Sequence, residues 1–143
     1  MFIRFIAHAG FYIEEKGYSI FLDPWFSDST IERPVIESLG GGFKTIDFQI
    51  PQNTDSTEHY APDAIFISHF HPHHAPARDI RALCENSLGA GKKIKICYPA
   101  PNAAMEENIR AKLPGDVEKI AAAPGDMFSV GPFSVEAKEH TVP

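Results

Sequence analysis

Cysteine, positive charge and long apolar runs are all scarce in this chain. Its two cysteines, Cys84 and Cys97, are too few for a disulfide framework and do not form a CxxC motif. The 13 Lys and Arg residues are outnumbered by 19 Asp and Glu residues, for a net charge of −6, so binding to a nucleic-acid backbone is not expected. No stretch approaches the roughly 20 apolar residues of a membrane span. The alternating start is too short for a signal peptide, and a reducing, cytoplasmic location is predicted.

What remains is the composition of an ordinary globular protein. Of the 143 residues, 43% are hydrophobic and 22% are charged. A chain of this length can bury a substantial core and suits one domain. We therefore predict a single domain over residues 1–143.

The pattern of apolar residues predicts strands first, then strands alternating with helices, and finally a hairpin. Strands are predicted over residues 2–6, 11–15, 18–22, 63–67, 94–98 and 117–121. Helices are predicted over about residues 76–89 and 101–113, and a terminal hairpin over 128–137. This order predicts an α/β (α+β) fold, with a mixed sheet and helices on at least one face.

Residues 27–62 follow no regular pattern and contain three prolines and a run of three glycines. The run lacks the Lys and Ser/Thr of a phosphate-binding loop. A segment of this length commonly serves as a lid or a partner surface, and both alternatives stay open. His59 is predicted to be an exposed polar residue rather than a ligand.

Four histidines fall within six positions directly after the predicted strand 63–67, namely His69, His71, His73 and His74. Functional sites in open α/β sheets lie at the carboxyl ends of strands. Because neutral imidazole is the commonest metal ligand, the cluster indicates a metal site, most simply for zinc. The alternative is a solvated surface loop that binds no metal. Asp23 also follows a predicted strand, where it could lie beside the site or act as a turn residue.

Several ordered motifs resemble the metallo-β-lactamase fold. Residues 69–74 resemble its HxHxDH signature, and residues 62–69 resemble the strand that precedes it in one branch. Residues 21–26 resemble the TDPxF element of that branch, and His8-Ala9 resembles its GHA/GHS element. The branch includes the ascorbate-6-phosphate lactonase-like and N-acyl phosphatidylethanolamine phospholipase D-like proteins. The resemblance implies half of an αββα sandwich, a mixed sheet with helices on one face.

The resemblance also implies roles for individual residues. His69, His71 and His140 would bind a first metal ion, and His74 would bind a second. Asp23 would hold the histidine loop through hydrogen bonds, as metal ligands generally require.

His8 would lie near the mouth of the site and contact substrate, or would be a buried histidine bound to backbone. His73 replaces the aspartate of the signature, and it could serve as a further metal ligand or as a catalytic base. Since the chain stops three residues after His140, the second half of the fold is expected to be absent. A truncated chain, a minimal descendant and a half supplied by another subunit all remain open.

The leading hypothesis is a metal-dependent hydrolase that cleaves an ester, lactone or phosphodiester bond of a small molecule through a metal-bound water. One or two zinc ions are favoured, with manganese, iron and nickel as alternatives. The second hypothesis is a non-catalytic metal-binding or interaction module, and nucleic-acid processing is disfavoured by the acidic charge. Because half of this fold leaves a sheet face and an edge uncovered, a homo-oligomer is expected.

Overall fold

A mixed sheet dominates the computed structural model, which describes residues 1–7, 9–26, 37–41 and 55–139. Within these residues the sheet has six strands, β1 (Phe2–Phe5), β2 (Phe11–Glu15), β3 (Tyr18–Leu22), β4 (Ala64–Phe66), β5 (Lys95–Pro99) and β6 (Glu118–Ala122). The described helices are α1 (Ala77–Gly89), α2 (Ala103–Lys112) and a 3₁₀ turn at Thr57–His59. Strands β7 (Met127–Val130) and β8 (Phe133–Glu136) form a separate hairpin.

The strands follow the chain across the sheet in the order β1 to β6. The first three strands are antiparallel, and β3, β4, β5 and β6 are parallel to one another. Lys16 and Gly17 both have positive φ, at 52° and 76°, as a tight hairpin turn between β2 and β3 requires. Parallel neighbours need long crossovers, and α1 lies in the one from β4 to β5 while α2 lies in the one from β5 to β6. The predicted mixed α/β sheet is therefore confirmed.

Both helices pack on one face of the sheet, as predicted. Alternate strand residues point to that face, and three of them, Phe21, Ile65 and Ile96, are fully buried. The helices contribute Ile80 and Leu83 from α1 and Ile109 from α2, all fully buried. Each such side chain contributes about 1.5–3 kcal/mol, so this layer dominates the core. Helix α2 begins at Ala103 rather than Pro101 because Asn102 caps it, accepting a hydrogen bond from Met105 N at 3.0 Å.

The hairpin of β7 and β8 packs on the opposite face. Ile20, Ala64 and Cys97 form a second buried cluster there with Val130 of the hairpin. This face was expected to be uncovered, and the hairpin covers part of it. Along β1 and β2 the same face stays exposed, with Ile3 at 54%, Phe5 at 58% and Phe11 at 37% of their full accessibility. Among the described helices, none is long and apolar enough to cross a membrane.

Candidate metal centre

The site forms where β3 and β4 end side by side. These strands are parallel and Leu22 lies opposite Phe66, so the residues that follow them meet at one edge of the sheet. Asp23 follows β3, and its N–H donates to the carbonyl oxygen of Phe66 at 2.9 Å. The segment that follows β4, residues 68–76, is called the histidine loop below.

Asp23 is the centre of the hydrogen bonds that hold this loop. Its buried carboxylate accepts from Ser68 N at 2.7 Å, from Ser68 Oγ at 2.6 Å and from His74 Nδ1 at 2.8 Å. Since a carboxylate only accepts, Nδ1 of His74 carries the proton and Nε2 is the nitrogen suited to a metal. Asp23 has a φ of 42°, a left-handed conformation that aspartate tolerates better than most residues.

His69, His71 and His73 form a set of nitrogens suited to one ion. Each offers one ring nitrogen, and the three atoms lie within 4.8 Å of one another. Nε2 of His69 lies 3.1 Å from Nδ1 of His71. The His74 ring lies against the same group, with its centroid 4.0 Å from that of His69. All four imidazoles therefore belong to one cluster, and its donor chemistry fits a divalent transition metal.

A turn within the histidine loop brings these rings together. The backbone N–H groups of His74 and Ala75 both donate to the carbonyl oxygen of His71, at 2.9 Å each. Pro72 lies inside this turn and is buried. Trp25, at 1% exposure, packs beside the cluster with its ring centroid 6.1 Å from that of His73. The wall on this side is apolar, which limits the access of water to His73.

Asp79 is a supporting residue that the sequence analysis missed. It lies in the first turn of α1, and its buried carboxylate accepts from Phe26 N at 2.7 Å. Burial raises the pKa of Asp79, against the opposing effects of that hydrogen bond and of Arg78. The contact ties the segment after Asp23 to the helix. An acidic residue in the first turn of a helix is ordinary, so the sequence carried no signal for this role.

A cavity of about 450 Å³ lies between the sheet and the hairpin, and Asp23 and Ser68 are part of its lining. Most of the lining is apolar, from residues such as Phe11, Leu22, Phe66, Cys97, Phe128 and Val135. Glu136 and Lys138 add charges to the lining. Its volume is in the range of small-molecule sites. The cavity therefore borders the histidine loop through Asp23 and Ser68, and the sequence did not predict it.

Neither cysteine is suited to bind the ion. Cys84 and Cys97 are both buried and free, and burial raises the pKa of each thiol to about 12. Metals bind the thiolate, which is scarce at such values. Both cysteines are core residues, as predicted.

The structure brings His69, His71, His73, His74 and Asp23 together. His8 and His140 lie outside the described residues, and so does much of the segment 27–62. His59 is exposed, as predicted, and its Nδ1 lies 3.0 Å from Asp55 Oδ1.

A family model described as "Beta-lactamase superfamily domain" matches residues 2–138. No curated protein and no solved structure matches the chain. The mixed six-stranded sheet with two helices agrees with one half of a domain of that fold.

Proposed function

The chain belongs to the beta-lactamase superfamily, and we propose that it is a metal-dependent hydrolase whose ion is held by the histidine loop. Membership fits a hydrolase-like function in general. The observation that carries the proposal is the set of His69, His71 and His73 nitrogens within 4.8 Å of one another. Three nitrogen ligands leave a coordination position for reactants, as in catalytic zinc sites.

In this proposal His69, His71 and His73 hold the ion. His74, oriented by Asp23, directs Nε2 to the same ion or to a second one. His140 is kept as a further ligand on the resemblance alone, and His8 as a substrate contact. A divalent ion lowers the pKa of a water molecule and polarises the scissile bond when it is bound. Zinc suits this nitrogen-rich set best, with manganese, iron and nickel as alternatives.

As the alternative to holding the ion, His73 acts in the proposal as the catalytic base. A neutral imidazole can take a proton near neutral pH, whereas it cannot supply the negative charge of the aspartate in the family signature.

We further propose that the substrate is a small molecule with an ester, lactone or phosphodiester bond next to an apolar group. The cavity beside Asp23 and Ser68 supports this, because its mostly apolar lining would take such a group. The lactonase-like and phospholipase-like branch suggested by the motifs stays part of the proposal. A reducing, cytoplasmic location also stays a prediction, supported by the two free thiols.

Protein purified without a histidine tag should contain one or two zinc ions per chain by elemental analysis. It should hydrolyse at least one of a p-nitrophenyl ester, an aryl lactone and bis(p-nitrophenyl) phosphate. Chelation should reduce that activity to background, and added zinc should restore it, because the ion supplies the activated water. Bound metal with no hydrolysis of any of the three would contradict the enzyme and favour the non-catalytic metal-binding module.

Self-association is a separate proposal, with a second copy of this chain as the partner. Strand β1 is an edge strand, and Ile3 and Phe5 expose apolar side chains on one face. Phe5→Glu should weaken the dimer at least about tenfold in sedimentation equilibrium, since a central aromatic anchor is worth over 1 kcal/mol. Met127→Glu is the matched control, because Met127 is 73% exposed on the hairpin. Equal effects of the two substitutions, or a monomeric parent chain, would contradict this proposal.

A further inference from the structure

We propose that Ser38 is a positioning residue that sets the spacing of the metal-binding histidines. It belongs to residues 37–41, called the Ser38 segment below, which is irregular apart from a single β-bridge to Pro76. The Ser38 segment lies about 30 residues before the histidine loop in the sequence, so the histidine motif gives no indication of the contact. The inference rests on the proposed metal site, and the experiment below separates the two.

The Ser38 side chain contacts the backbone between two candidate ligands. Ser38 is fully buried, and its Oγ donates to the carbonyl oxygen of Phe70 at 2.5 Å. Ser38 Oγ in turn accepts a hydrogen bond from Gly40 N at 3.1 Å. Phe70 separates His69 from His71, so this hydrogen bond acts at the centre of the His-x-His pair. Because Ser38 is fully buried and Phe70 is half-buried, loss of this hydrogen bond is costly, which makes the contact restrictive.

The Ser38 segment also holds the far end of the histidine loop. Leu39 N donates to the carbonyl oxygen of Ala75 at 3.0 Å, and Ala77 N donates to that of Glu37 at 2.7 Å. The loop is therefore held by this segment both near its start and where it enters α1. Because Asp23 holds Ser68 and His74, the loop that carries the four histidines is held by two separate sets of hydrogen bonds.

Helix α2 fixes the position of the Ser38 segment itself. Lys112 Nζ donates to the carbonyl oxygen of Ser38 at 3.0 Å, and the Asn108 side-chain amide donates to that of Leu39. Ile109 between them is fully buried in the core. A continuous series of contacts thus runs from the core through α2 and Ser38 to Phe70.

Gly40 permits this close approach. A Cβ added at Gly40 would lie 2.6 Å from Cβ of Phe70, and real Cβ atoms do not approach so closely. The backbone of the Ser38 segment can therefore lie against Phe70 only because residue 40 has no side chain.

The test compares Ser38→Ala with Ser87→Ala. Ser87 is also fully buried, and its Oγ donates to the carbonyl oxygens of Pro62 and Leu83, away from the histidine loop. Zinc affinity is measured by competition with a chromophoric chelator, and loop order is measured in zinc-free protein by hydrogen exchange of the His74 and Ala75 amides. Ser38→Ala should weaken zinc binding about tenfold or more and speed exchange at both amides. Ser87→Ala should change neither quantity.

A second pair keeps the test valid if Ser38→Ala does not fold. Lys112→Met removes the hydrogen bond to Ser38 O from a partly exposed side chain. Lys119→Met is its control, because Lys119 Nζ donates to the carbonyl oxygens of Pro114 and Val117 instead. Faster loop exchange in Lys112→Met alone would support the inference, and equal exchange in both pairs would overturn it. A parent chain that binds no zinc would contradict the proposed function, while the exchange measurement would still decide the role of Ser38.

Discussion

Replacing Asp23 by alanine should destabilise the zinc-free protein by about 3–5 kcal/mol. The substitution deprives three donors on Ser68 and His74 of a buried acceptor. Because water reaches the exposed Ser68 and, in part, His74, each loss costs about 1 kcal/mol, the low end of the range for an unsatisfied donor. Alanine also tolerates a φ of 42° less well than aspartate, because it lacks a short polar side chain that can form local hydrogen bonds. This adds about 1 kcal/mol to the loss of stability. Urea unfolding of the two proteins measures the difference.

The same substitution should weaken zinc binding about 10- to 100-fold, because His74 loses the partner that orients its ring. Asp63→Ala is the matched control. Asp63 accepts from Ser19 N at 2.8 Å, Ser19 Oγ at 3.1 Å and Lys92 Nζ at 3.1 Å, directly before β4 rather than after it. It should lower stability while leaving zinc affinity unchanged.

Asp23→Asn separates the acceptor from the charge. Asparagine tolerates the left-handed conformation and keeps one side-chain oxygen, so it should lose roughly half of the stability that alanine loses. The free energy of unfolding of Asp23→Ala could instead lie within about 0.5 kcal/mol of that of the parent chain, the usual range for a surface substitution. That result would show that Asp23 does not hold the loop.

The double substitution His69→Ala, His71→Ala should abolish measurable zinc binding and reduce hydrolysis to background. Structural zinc sites bind with about 10–16 kcal/mol, so each of four ligands accounts for roughly 3 kcal/mol. Each loss therefore weakens binding about a hundredfold. The measurements are zinc competition and initial rates on the substrate that the parent chain hydrolyses.

Three further substitutions sharpen this result. His59→Ala is the control, because His59 is an exposed histidine in the 3₁₀ turn and should leave both quantities unchanged. His73→Asp restores the signature of the family and should keep the metal, whereas His73→Ala should lose affinity. Full hydrolytic activity in the double variant would contradict a histidine-bound ion.

The periodic parts of the fold were predictable from the sequence. Strand β4 is a short apolar run, and α1 repeats apolar residues at helical spacing, so each pattern specifies a type of element. The position of the histidine loop was also predictable, because the histidines come directly after an apolar run that reads as a buried strand. The dipeptide Lys16-Gly17 predicted the hairpin turn, because glycine favours the positive φ that such a turn requires.

Contacts between irregular segments were not predictable. Ser38 lies in a stretch without periodicity, and one serine among many carries no sign that its hydroxyl meets Phe70. The position of the terminal hairpin on the second sheet face depends on tertiary packing of Val130 against Ile20 and Cys97. The apolar cavity follows from that packing, and for the same reason the sequence did not indicate it.

The two thiols lie in different layers of the molecule. Cys84 belongs to the core beneath the helices, and Cys97 belongs to the cluster beneath the hairpin. Each is buried and has a pKa raised to about 12, so an alkylating reagent reacts with either one only when its layer opens. The native chain thus carries two chemical reporters without engineering. The ratio of their labelling rates compares how often the helical layer and the hairpin layer separate from the sheet.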